Sequence, residues 1–135
     1  SLANVLAVHL LRYYTAAGSA FPRRAGGLSG KKLSEVTSFM AENCTRDVRL
    51  EELAQVAGIS RFHFAREFKK VTGSSPHQYL MKLRIQRAKS LLQGSNLPLI
   101  DVGLQSGFSH QSHFTRLFRR FTGTTPQSYR LLVQQ

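Results

Sequence analysis

Lys69 and Lys70 open the phrase KKVTGSSPHQY, and Arg119 and Arg120 open RRFTGTTPQSY fifty residues later. These cation pairs are the clearest candidates for chemistry in the chain, because ammonium and guanidinium groups bind anionic oxygens strongly. At the same offset, Arg66, Phe68, Thr72, Gly73, Pro76 and Tyr79 correspond to Arg116, Phe118, Thr122, Gly123, Pro126 and Tyr129. Other chemistries have little to work with. Cys44 is the sole cysteine, so an internal disulfide is excluded, and it has no activating base nearby in sequence. Buried packing is its expected role, and a reducing cytoplasm fits. His63 and His113 occupy matching places, with His110 three residues before His113. No carboxylate or cysteine cluster accompanies them, so a structural or phosphate-contacting role is expected rather than a metal site. Nothing resembles a catalytic constellation; neither an enzyme nor a cofactor is expected.

The charge is uneven. The chain has 135 residues, is 41% apolar and carries a formal net charge of +12. It can bury a core, as one domain or two very small ones. Residues 61–135 hold twelve basic and two acidic residues, whereas residues 1–60 hold seven and five. Such a half points to a polyanion. Nucleic acid is favoured over an anionic membrane, because no long helix pairs a basic face with a broad apolar one. No apolar run reaches the roughly 18 residues that a span needs. Charge for solubility alone, and a face for acidic protein partners, stay open at this point.

The elements that must position these cations read as helices. Leu2, Val5, Leu6, Leu10 and Tyr13 form a helical stripe, and residues 15–30 read as a Gly-, Ser- and Ala-rich linker. Helical periodicity resumes at Leu33, Val36, Phe39 and Met40, and no segment alternates like a strand. Leu50, Leu53, Ala54 and Ala57 share one face of a short helix that Gly58 ends. Ser60 can cap the next helix, whose core stripe is Phe64, Phe68 and Val71. Phe62, Arg66 and Lys69 point the opposite way. Gly73 stops this helix, and Ser75 and Pro76 start a longer one to about Gln93. The second copy repeats the plan. Ile100, Val102, Gly103 and Ser106 make its short helix, Gly107 ends it, and Phe114, Phe118 and Phe121 form the core stripe. Ser112, Arg116 and Arg119 point outward, and Gly123, Thr125 and Pro126 repeat the stop and restart. Gly58 to Phe64 is six steps but Gly107 to Phe114 is seven, so the second turn carries one extra residue.

A short helix, a glycine turn and a second helix with a basic exposed face make a helix-turn-helix, whose second helix enters the major groove. Two copies on one chain would let a monomer enter two successive groove segments. The run LEELAQVAGISRFHFAREFKKVTGSSPHQYLMKLRIQRAKSLL, followed by IDVGLQSGFSHQSHFTRLFRRFTGTTPQSY, resembles the DNA-binding domain of the AraC/XylS family of bacterial transcription regulators. The likeness covers about residues 31–132 and is specific, since both helix pairs, the connecting helix and both TGxxP phrases occur in order.

The resemblance implies an all-α fold of two helix-turn-helix subdomains, with about seven helices and an N-terminal linker helix. The DNA-binding domain would span 31–135. Its first helix-turn-helix would lie at about 50–73, the connecting helix at about 76–92 and the second helix-turn-helix at about 99–123. The chain lacks an initiator Met and reads as a fragment, with residues 1–30 the end of a connection to a sensor and dimerisation domain. The family's base-reading positions fall on Arg61, Phe62, Ala65 and Arg66, and on Gln111, Ser112, Thr115 and Arg116. Arg66 could bond guanine bidentately, Phe62 pack on thymine methyls or sugar, and Gln111 read adenine. Ala65 departs from members with a polar residue there and offers only a methyl contact. Lys69, Lys70, His110, Arg119 and Arg120 would hold phosphate. Double-stranded DNA and RNA polymerase are the implied partners. Transcription activation in the cytoplasm is the implied role, with the fragment monomeric and the longer protein a homodimer.

Overall fold

A computed structural model describes residues 27–135, so the expected linker helix near the start of the chain lies outside the described residues. Seven helices follow one another: α1 (Gly30–Asn43), α2 (Leu50–Ala57), α3 (Arg61–Thr72), α4 (Pro76–Gly94), α5 (Leu99–Gln105), α6 (Gln111–Thr122) and α7 (Pro126–Val133). No strand occurs among the described residues. They divide into two compact units, residues up to Glu42 with 48–78, and residues 43–47 with 79–135. Each unit holds one helix-turn-helix.

In the first unit the apolar stripes read from the sequence are the core. Leu33, Val36 and Met40 of α1, Leu53, Ala54 and Ala57 of α2, and Phe64, Phe68 and Val71 of α3 are all buried. The rings of Phe64 and Phe68 lie 5.4 Å apart. Helix α2 ends at Gly58 in the left-handed conformation, where the Gly58 and Ile59 N–H groups both donate to Ala54 O, at 2.8 and 3.2 Å. Two residues later Ser60 Oγ accepts the His63 N–H at 3.3 Å and starts α3. The turn is thus short and capped at both sides, which sets the direction in which α3 leaves.

The second unit builds an aromatic ladder. Phe108 lies 5.2 Å from Phe114, Phe114 5.8 Å from Phe118, and Phe118 5.4 Å from Tyr129. Tyr79, Leu80, Met81, Ile85, Ala88 and Leu92 of α4 complete the core with Val102 of α5. Arg84 ties the segment after α1 into this unit: Nε donates to Cys44 O at 2.6 Å and Nη2 to Arg46 O at 2.9 Å. Cys44 is buried and free, as expected. Two positions differ from their reading as core or helix face. Phe121 is only half-buried, whereas Val71 at the matching place on α3 is buried, and Ile100 is 56% exposed on the outer side of α5.

The doubled phrase is a joint built twice. Thr72 Oγ1 donates toward Phe68 O at 2.8 Å and accepts the Ser74 N–H at 3.2 Å; Thr122 Oγ1 does the same with Phe118 O at 2.7 Å and the Thr124 N–H at 3.3 Å. Gly73 and Gly123, at φ of +78° and +81°, each return their N–H to the carbonyl four residues back. Ser75 Oγ then accepts the Gln78 N–H at 3.1 Å, and Thr125 Oγ1 the Ser128 N–H at 3.2 Å. Pro76 and Pro126 begin the next helices, where a missing N–H leaves nothing unpaired.

Candidate nucleic-acid interface

Helices α3 and α6 present the same pattern of exposure residue for residue over 61–70 and 111–120. Arg61, Phe62, Arg66, Lys69 and Lys70 are exposed on α3, and Gln111, Ser112, Arg116, Arg119 and Arg120 on α6. Ala65 and Thr115, between them on the same side, are half-buried. The rotation comes from the phenylalanine stripe: burying Phe64 and Phe68, or Phe114 and Phe118, forces the residues two before and two after each onto the outer face. Phe62 is 77% exposed, the most exposed large apolar side chain among those described. It stands among cations rather than at a core edge.

The two faces differ in chemistry. On α3, Arg61 Nη1 donates to Glu51 Oε1 at 2.7 Å, and the guanidinium carbon sits 4.9 Å from the centre of the Phe62 ring. Glu51's own backbone N–H, and then Arg61, hold its carboxyl below the usual range. Sequence reasoning missed this pair. Its members are ten residues apart, on two helices, and only the turn angle brings them together. On α6, Gln111 reaches back so that its Oε1 lies 3.4 Å from where a β-carbon on Gly103 would stand. His110 is exposed at the N-cap of α6, and its side chain makes no capping hydrogen bond. The histidines also diverge: His63 Nε2 lies 3.6 Å from Glu67 Oε1, while His113 meets the Phe108 ring edge-on at 5.6 Å. Among the described residues, no group of three or more His, Cys, Asp or Glu is placed to hold a metal ion. No helix among them is long and apolar enough to cross a membrane.

A helix-turn-helix domain family matches residues 53–131, more than half of the chain. The DNA-binding domain of AdpA, a global transcriptional factor solved in complex with a target DNA, superposes with a TM-score of 0.70 at 34% identity, over 75% of this chain and 91% of that one. An AraC-type transcriptional regulator from Chromobacterium violaceum superposes with a TM-score of 0.73 at 33% identity, over 78% and 94%. This chain belongs to the AraC-type helix-turn-helix family. Its α2–α3 and α5–α6 pairs are the two helix-turn-helix motifs of an AraC-type domain. Among curated relatives, the HTH-type transcriptional activator AarP of Providencia stuartii is 30% identical over 92 residues, 68% of each chain. The chain spans only 28% and 22% of two longer regulators, from Bacillus subtilis and Pseudomonas aeruginosa, that it matches at 39% and 35% identity.

Proposed function

We propose that this AraC-type domain binds double-stranded DNA sequence-specifically, with α3 and α6 entering two adjacent major-groove segments. The observation that carries the reading is the repeated exposure pattern. Between the two helices the buried and helix-stopping positions are nearly the same residues, while the outward ones change: Arg61 to Gln111, Phe62 to Ser112, Ala65 to Thr115. A scaffold kept twice with two different faces is what reading two different base sequences requires. Arg66 and Arg116, the outward residues that stay the same, are arginine forks suited to guanine O6 and N7. Lys69, Lys70, His110, Arg119 and Arg120 flank those faces and set register on phosphates. The solved complex of the similar AdpA domain with DNA supports the binding mode. The name of AarP, a transcriptional activator, supports activation, and RNA polymerase is the partner that such a role would call for. A homodimer formed through a preceding sensor domain, acting in the cytoplasm, completes the proposal for the longer protein.

Site selection from random duplexes tests it. The preferred target should be asymmetric, with two unlike blocks about 10–11 base pairs apart, since the groove returns to one face of the duplex at that interval. Arg66→Ala and Arg116→Ala should each cost about 1–3 kcal/mol and relax preference in a different block. Relaxation of the same base pairs by both variants, or a palindromic preference for the monomer, would sink the two-groove reading.

A further inference from the structure

We infer that Glu51 is a positioning residue for DNA reading: its carboxylate holds the Arg61 guanidinium toward base edges and withholds it from phosphates. The inference rests on the reading of Arg61 as base-facing. Two contacts orient Arg61 in the free protein, the 2.7 Å hydrogen bond to Glu51 and the stack on Phe62 at 4.9 Å. An arginine on a surface helix otherwise samples many rotamers, and a pre-aimed one loses less freedom on binding. The carboxylate also changes what Arg61 attracts. A guanidinium beside a carboxylate is nearly neutral to a distant phosphate, yet it keeps four of its five N–H donors for directional hydrogen bonds.

Stability does not explain the pair. The two side chains are 47% and 54% exposed, and exposed pairs of this kind contribute little to folding. The second helix-turn-helix supplies an internal comparison. On its supporting helix, where Gly103 stands for Ala54, Ile100 stands for Glu51, and on its reading helix Gln111 stands for Arg61. Neither the acid nor the arginine is thus kept at the matching places of the second copy. Where the reading residue is a neutral amide, the carboxylate is absent.

The test uses the full chain and a double-mutant cycle of Glu51→Gln, Arg61→Ala and the double variant, read by site selection and by salt titration on unrelated DNA. Glu51→Gln is expected to weaken preference about three- to tenfold at the base pairs that Arg61→Ala also relaxes. On unrelated DNA its log–log salt slope should steepen by about 1, as the released arginine finds a phosphate. Both effects should vanish in the Arg61→Ala background. A Glu51 that served only α2 would shift the thermal midpoint and weaken all sequences alike. Unchanged base preference in Glu51→Gln, or changes that persist without Arg61, would overturn the inference. If Arg61→Ala itself leaves the selected sequence unaltered, the reading of Arg61 falls, and this inference with it. If Arg61→Ala relaxes the sequence and Glu51→Gln does not, only this inference falls.

Discussion

A β-carbon added to Gly107 would stand 2.9 Å from Arg84 Nε, 2.9 Å from Cys44 O and 3.0 Å from Thr45 Cα, at a φ of +103°. Two of those three neighbours are backbone, and the third already donates to Cys44 O at 2.6 Å, so none can yield cheaply. Gly123 has a similar left-handed φ of +81° but open space around it. The comparison separates backbone strain from crowding. Gly123→Ala should cost about 1–2 kcal/mol, the strain alone. Gly107→Ala should cost about 2–5 kcal/mol, because overpacking adds to the strain. Denaturant midpoints of the two variants check this; equal losses would mean that the contacts around Gly107 relax freely.

At the scale of elements, the joint after each reading helix matters as much as the helix. Thr72 and Thr122 each close the end of their helix with a hydroxyl that both donates and accepts. Thr→Val keeps the shape and removes both hydrogen bonds. Ser74 is buried, so its N–H would lose its acceptor out of reach of water. Thr72→Val should therefore lose about 1–2 kcal/mol, and Thr122→Val somewhat less, about 0.5–1.5 kcal/mol, because Thr124 is only half-buried and water can partly replace the lost acceptor. Thermal midpoints measure both. An unchanged midpoint in either would show that the hydroxyl is dispensable. The turns before the reading helices are not alike in this way. Ser60 caps α3, whereas the extra residue in the second turn leaves His110, without a capping bond, to start α6.

For the molecule as a whole, the dominant long-range quantity is charge. The formal net charge is +12, and residues 61–135 carry twelve basic residues against two acidic. The outward cations of α3 and α6 all lie in that stretch. Binding should therefore fall steeply with salt, since each phosphate neutralised releases a counterion. Roughly 5–9 phosphate contacts give a log–log slope near −5 to −8. A titration slope shallower than about −2 would mean that the basic half is not seated on the DNA backbone.

What the sequence determined by itself was local. Helical period, glycine stops, Ser and Thr caps and the restart at proline depend on a few neighbouring residues, so they could be read directly, twice, at an offset of fifty. The outward faces of α3 and α6 followed from the phenylalanine stripes by rotation alone. The tertiary structure decided what depends on how elements meet inside each unit. It buried Val102 but turned Ile100 outward, and left Phe121 half-covered at the end of α6. It set Arg84 against the carbonyls of Cys44 and Arg46, thirty-eight or more residues away, which no periodicity encodes. It also joined Arg61 to Glu51 across a turn. Side chains ten residues apart meet only when the angle between two helices brings them together, and that angle is a property of the packed core.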